Sequence, residues 1–306
     1  MPVLVVGSVA FDSIETPFGA RSEMLGGAAT YFSLAASYFA PVQVIAAVGE
    51  DFPDRHRRLL ESHGVDLGGL ATLPGETFRW SGRYSFDLNA RDTLETRLGV
   101  FESFAPRVPE GMRRPEFLFL GNIDPDLQRG VLEQVGRPRL VGCDTMNFWI
   151  EGKPEALRRT LAGVDLLVIN DSEARELARE PNLVRAAAAI RAMGPRTLIV
   201  KRGEFGAAAF GATTPFAVPA LLLDAVQDPT GAGDSFAGGL MGYLAAHAAG
   251  GAAITDGMMR RAIAMGSVMA SFTVQSFGVD GLVGLSRERI DERFEQFRRL
   301  SHLGEA

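Results

Sequence analysis

Asp228-Pro229-Thr230-Gly231-Ala232-Gly233-Asp234-Ser235-Phe236-Ala237-Gly238-Gly239 is a glycine turn running straight into an apolar stretch of helical length. The reading of this stretch governs the rest of the chain. Gly231 and Gly233 lack Cβ, so their backbone can approach a phosphate closely and take dihedrals closed to other residues. The following helix aims unbonded N–H groups and the positive end of its dipole at the same point. Asp234 stands there too, and two roles fit it. It can cap the helix, or it can take the proton of a hydroxyl that attacks a bound phosphoryl group. The chain contains neither Gly-x-x-x-x-Gly-Lys-Ser/Thr nor the protein-kinase signatures, so phosphate handling rests on this turn.

Two other segments carry related signals. Gly26-Gly27-Ala28-Ala29-Thr30 opens an apolar helix, and Asn170-Asp171-Ser172-Glu173 follows the apolar strand Val164 to Ile169. Asn170 and Glu173 lie one helical turn apart and share the spacing of a capping box. Capping and ligand binding are compatible there. Apolar runs at Val42–Val48, Phe117–Leu120, Leu140–Cys143, Leu166–Ile169 and Leu198–Val200 alternate with helix-like stretches. This alternation predicts an α/β fold whose parallel sheet is covered on both faces. Ligands of such sheets bind at the carboxyl ends of the strands, where Gly7 to Asp12, Asn122, Asp144 and Asn170 fall.

Composition narrows the class. A chain of 306 residues with 46% apolar content can bury a large core, enough for one large α/β domain with an appendage or for two smaller domains. A net charge of −6 without a basic stripe argues against a nucleic-acid surface. The single cysteine, Cys143, excludes an internal disulfide and fits a reducing, cytoplasmic setting, and the four histidines lack zinc-ligand spacing. Met1 to Gly7 reads as a first buried strand rather than a signal peptide. Phe236 to Ile254, although long and Ala/Gly-rich, reads as a helix of the core and not a membrane span.

The three motifs, in this order, resemble the ribokinase-like (PfkB) family of carbohydrate and nucleoside kinases. The resemblance spans the chain and is most specific at Asp228–Gly239. It implies a three-layer sandwich around a mostly parallel central sheet, with residues 1–63 and 105–306 forming the kinase domain and residues 64–104 a small β lid. The near alternation of Thr77 to Phe86 independently predicts antiparallel strands. By the resemblance, the lid closes on the substrate and pairs with a second copy to give a homodimer.

The resemblance also implies an ATP-dependent phosphotransferase acting on a hydroxyl of a small sugar or polyol. Asp234 would be the base, and the N–H groups of Gly231, Ala232 and Gly233 the anion hole. Asp12, Gly26, Gly27, Thr30, Arg79 and Asn122 would bind the acceptor. Asn170, Lys201, Gly203 and Gly206 would lie on the nucleotide side, and Glu173 would hold Mg²⁺ through water. Asp228 and Thr230 would supply a K⁺ site. Thr30 stands where the family commonly has asparagine, which points away from a ribose contact. The rival acceptor is a nucleoside, since Phe78, Trp80 and Phe148 could stack a base. A silent sugar- or nucleotide-sensing protein is the rival of another class, opposed by the joint presence of Gly231, Gly233, Asp234, Asn170 and Glu173. Asp144 to Trp149 reads equally as pocket wall or as packing. A dinucleotide oxidoreductase is excluded, because no Gly-x-Gly-x-x-Gly follows the first strand.

Overall fold

A computed structural model describes residues 1–211 and 215–301. Its strands are β1 (Val3–Val6), β2 (Ala10–Thr16), β3 (Gly19–Gly26), β4 (Val42–Gly49), β5 (Val65–Leu73), β6 (Arg79–Tyr84), β7 (Arg91–Arg97), β8 (Phe117–Leu120), β9 (Leu140–Cys143), β10 (Leu166–Asn170), β11 (Thr197–Lys201), β12 (Ala207–Phe210) and β13 (Phe216–Val218). The helices are α1 (Ala28–Ser37), α2 (Asp54–Ser62), α3 (Pro125–Gln134), α4 (Asn147–Gly152), α5 (Pro154–Leu161), α6 (Asp171–Ala178), α7 (Leu183–Arg191), α8 (Ala232–His247), α9 (Asp256–Thr273) and α10 (Arg287–Ser301).

Nine strands form the main sheet in the order β13-β12-β11-β10-β9-β8-β1-β4-β5. It is parallel except for β12 and β13, which return antiparallel at one edge. Successive residues of its central strands bury on opposite faces. Val3 and Val5 join one core with α1, α2, α8, α9 and α10, while Leu4 and Val6 join a second with α3, α5, α6 and α7. Helices therefore cover both sides, giving the three layers, and the unbroken apolar character of β8 to β11 follows from burial on both faces.

The helix after the glycine turn is interior. A Cβ on Gly238 would stand 2.3 Å from the Phe32 carbonyl oxygen and one on Gly242 2.8 Å from that of Ala36, so the Gly-x-x-x-Gly spacing serves close packing of α8 on α1. Among the described residues, no helix is long and apolar enough to cross a membrane.

A second, four-stranded sheet has the order β3-β2-β6-β7, and it corrects the boundaries expected for the lid. Residues 64–104 are not one insert. β5 belongs to the main sheet, parallel to β4, with Val65 buried against the α2 face. Half of the small sheet instead comes from Ala10–Gly26. β6 is antiparallel to β7, as its alternation predicts, and parallel to β2. The Asp12↔Trp80 register places these two residues side by side.

Candidate active site

Gly231 begins the site. Its φ of 74° is left-handed, and a Cβ there would enter the Tyr31 ring at 2.3 Å. Only glycine meets both conditions. The Ala232 N–H turns back to the Pro229 carbonyl oxygen (3.2 Å) and the Ser235 N–H to that of Gly231 (2.8 Å). The Gly233 N–H has no backbone acceptor among the described residues. Of the three expected anion-hole donors, Ala232 is thus engaged in closing the turn.

Asp234 lies in the first turn of α8, whose N-cap residue, Gly231, makes no side-chain cap bond. Burial pushes the Asp234 carboxyl up to about 7, with Asp144 raising it further and Lys201 and Arg91 opposing. Lys201, at the end of β11, is buried beside the turn, with its Nζ 3.5 Å from Asp144 Oδ2. Burial alone would lower its pKa, but Asp144, Glu173 and Asp234 together leave it raised. It is therefore a buried lysine paired with Asp144 and kept charged by the fields of Asp144, Glu173 and Asp234.

Asn170 and Glu173 form a complete capping box. Asn170 Oδ1 accepts from the Glu173 N–H (2.8 Å), and Glu173 Oε2 accepts from the Asn170 N–H (2.7 Å). Glu173 is nonetheless buried toward the Lys201 cluster, and burial pushes its carboxyl up to about 7. The capping reading of this motif is therefore met in the geometry.

Asp12 is the second focus. Its carboxylate is 5% exposed and accepts from the Gly27 N–H at 3.4 Å. A Cβ on Gly26 would lie 2.0 Å from Asp12 Oδ2, so the glycine pair makes room for this group at the start of α1. Burial pushes Asp12 up to about 7, with Asp228 and Asp234 adding to the rise. Three polar atoms near the strand ends and the first turns of α1 are buried without a hydrogen-bond partner: Thr30 Oγ1, the Tyr31 hydroxyl and Asn122 Oδ1. The Tyr31 hydroxyl lies in the field of Asp12, Asp228 and Asp234.

Other expected residues fall elsewhere. Arg79 is held at the foot of the small sheet by Asp51 (2.7 Å), Glu23 (3.1 Å) and the Thr77 carbonyl oxygen (3.0 Å), and it stacks on Phe11. β-Strand alternation turns Phe11 and its register partner Arg79 to the face opposite Asp12, so the structure does not bring Arg79 to Asp12, with which it was expected to bind the acceptor. Gly203 and Gly206 shape the β11–β12 turn, where the Arg202 N–H donates to the Gly206 carbonyl oxygen (2.8 Å). Asp228 accepts the N–H of Thr230 (2.9 Å) and of Gly278 (3.3 Å), and Thr230 Oγ1 donates to the Tyr84 hydroxyl (3.1 Å). These two residues thus tie the turn to the C-terminal loop and to the small sheet. Asp144 is a buried member of the lysine cluster, while Phe148 is exposed. Sequence reasoning missed Tyr31 and Arg91. Tyr31 carries no motif signal, and Arg91 lies on an exposed strand whose register is needed to place it.

This sheet order, with carboxylates and a glycine turn gathered at the strand ends, gives an α/β fold with a candidate phosphate site at its carboxyl edge. The sequence profile of the pfkB family carbohydrate kinase matches residues 143–283. The cytidine kinase of Thermococcus kodakarensis is 28% identical over 253 residues, 79% of this chain and 88% of its own. The nucleoside kinase of Methanocaldococcus jannaschii, an archaeal member of the ribokinase family, superposes with a TM-score of 0.75 at 20% identity over 96% of this chain and 98% of its own. An Escherichia coli protein described as a ribokinase II, solved with ATP and Mg²⁺, gives 0.74 at 20% identity over 97% and 99%. Residues 143–283 thus carry the pfkB carbohydrate-kinase match, the whole chain has the fold of ribokinase-family structures, and the chain is an ATP-dependent phosphotransferase.

Proposed function

We propose that this kinase transfers the γ-phosphoryl group of ATP to a ribose hydroxyl of a nucleoside, with Asp234 as base. The observation that carries the acceptor class is the buried Asp12 carboxylate acting on the Tyr31 hydroxyl, together with the unpartnered buried oxygens of Tyr31, of Thr30 on the same helix and of Asn122 after β8. An unmet buried polar group costs about 1–3 kcal/mol, so a ligand with several hydroxyls gains by meeting them. A carboxylate accepts two hydroxyl donors at once, as a ribose diol offers. The cytidine and nucleoside kinase relatives support a nucleoside over a free sugar or polyol. The second reading, a sugar or polyol, is favoured by Thr30 in place of asparagine.

Asp234, ionised, accepts the proton of the attacking hydroxyl. The Gly233 N–H and the α8 dipole, with Lys201 beside them, face the charge that develops on the phosphoryl oxygens. The oxygen-only acidic set fits Mg²⁺, which prefers one or two carboxylates plus phosphates and water to a protein cage. Among the described residues, no three His, Cys, Asp or Glu side chains form such a cage. Glu173, whose Oε1 is outside the capping box, would hold the ion with Asn170 nearby, and Mg²⁺ would neutralise phosphate charge. Asp228 retains lone pairs for K⁺ beyond its two N–H bonds. The four-stranded sheet acts as the lid, and a homodimer would form through it.

An ADP-formation screen with Mg·ATP against cytidine, inosine, adenosine, ribose and myo-inositol, in KCl and in choline chloride, tests this reading. We expect a nucleoside to give the highest kcat/KM, and a faster rate in KCl. Turnover with ribose or inositol alone would reject the nucleoside reading, and equal rates in both salts would reject the K⁺ site.

A further inference from the structure

We propose that Arg91 is a catalytic residue, a lid-borne guanidinium that meets the phosphoryl group in transit from ATP to the acceptor. This rests on the phosphoryl-transfer reading of the glycine turn.

Four arginines lie on the β6–β7 hairpin, and three have carboxylate partners. Arg79 pairs with Asp51 and Glu23, Arg83 with Glu15, and Arg97 with Glu95. Arg91 forms no ion pair among the described residues. Its position is nevertheless defined. It stands opposite Tyr84 in the β6–β7 register, and its guanidinium carbon is 5.1 Å from the Trp80 ring centroid. Trp80 is itself the register partner of Asp12.

The hairpin is seated on the catalytic turn at two points. The Tyr84 hydroxyl accepts from Thr230 Oγ1, directly before Gly231. Asn89 Oδ1 lies 3.3 Å from where a Cβ on Gly203 would stand, so the tip also reaches the β11–β12 turn. Arg91 stands beside the first of these contacts, opposite Tyr84 and hydrogen-bonded to its side chain. From there its charge favours the ionised forms of Asp12, Glu173 and Asp234, carboxylates of both the acceptor side and the phosphate side. Lys201 supplies charge from the sheet side, and Arg91 from the lid side.

The chemistry asks for such a group. The bond from the acceptor oxygen to the γ-phosphorus forms while that to the β–γ bridging oxygen breaks. ADP leaves with the electron pair, and the acceptor's proton passes to Asp234. Charge spreads over three equatorial oxygens, which a planar guanidinium can bridge with two N–H donors. Because the arginine arrives with the hairpin, lid closure and completion of the site become one event.

Calorimetric titration with Mg·ADP, with and without aluminium fluoride, which mimics the phosphoryl group in transit, tests the assignment without any acceptor turnover. The wild-type protein should bind ADP more tightly when aluminium fluoride is present. R91A should lose at least tenfold of that gain while its affinity for Mg·ADP alone stays within threefold, and R97A, on the same strand, should keep it. With the best acceptor, R91A should lower kcat by about 10²–10³, the effect of removing one preorganised charge-stabilising donor. Full retention of the aluminium fluoride gain in R91A would overturn the role of Arg91 alone. A wild-type protein showing no gain would overturn the transfer reading, and this proposal with it.

Discussion

The glycine turn and the β6–β7 hairpin meet across the same site, yet they are built in opposite ways. The turn is interior. Gly231 lies against the Tyr31 ring, Asp228 is buried and bonded to two backbone N–H groups, and α8 is packed between α1 and α9. The hairpin is peripheral, since every residue of β7 is exposed and the Arg83 and Arg97 ion pairs lie at the surface. Surface pairs of this kind contribute about 0–1 kcal/mol, whereas the packing around the turn resists displacement. The difference assigns the tasks. A rigid turn can hold preorganised dipoles and a base with a perturbed pKa, and a lightly held hairpin can open to admit an acceptor and close to exclude water.

Breaking the turn should have the largest effect. Asp234→Asn removes the proton acceptor and keeps the shape, so kcat should fall by about 10²–10⁴ with Mg·ADP affinity unchanged. Steady-state rates and calorimetry check this, and a rate within a few-fold of wild type would reduce Asp234 to a helix-terminal residue. Breaking the hairpin should be milder and different in kind. Replacing Phe78 to Phe86 with a short glycine linker should raise the acceptor KM by about tenfold and increase ATP hydrolysis relative to acceptor phosphorylation, because water then competes. Unchanged acceptor KM and coupling in the folded variant would assign those aromatic residues to an interface or to the core.

The same contrast explains what could be read from the chain. The turn was legible because each of its requirements is local: glycine for backbone approach, aspartate at the first turn, an apolar helix behind. The central strands were legible because burial on both faces leaves continuous apolar runs such as Phe117–Leu120. The small sheet was not, because β2 and β6 lie far apart in the chain and their pairing depends on register. That pairing separates Asp12 from Arg79 and puts Trp80, with Arg91 over its ring, beside Asp12. The resemblance put Thr30 and Asn122 at the acceptor without saying what surrounds them. Only the fold shows that they are buried with unpartnered atoms. Lys201 was expected on the nucleotide side, and the strand register of β10 with β11 places it beside Asn170, with Asp144 and Glu173 acting on its charge.

The central claim is that a buried carboxylate on the turn, raised to about 7 chiefly by desolvation, takes the acceptor's proton. The pH dependence of kcat/KM tests it most directly, because this quantity reports ionisations of the free enzyme. The base must be ionised, so activity should rise about tenfold per pH unit below about 7 and level off above it. Lys201 favours the ionised form of Asp234, so in Lys201→Met the inflection should move to higher pH. A profile flat from about pH 5 to 8, or an inflection that Lys201→Met leaves in place, would contradict the account.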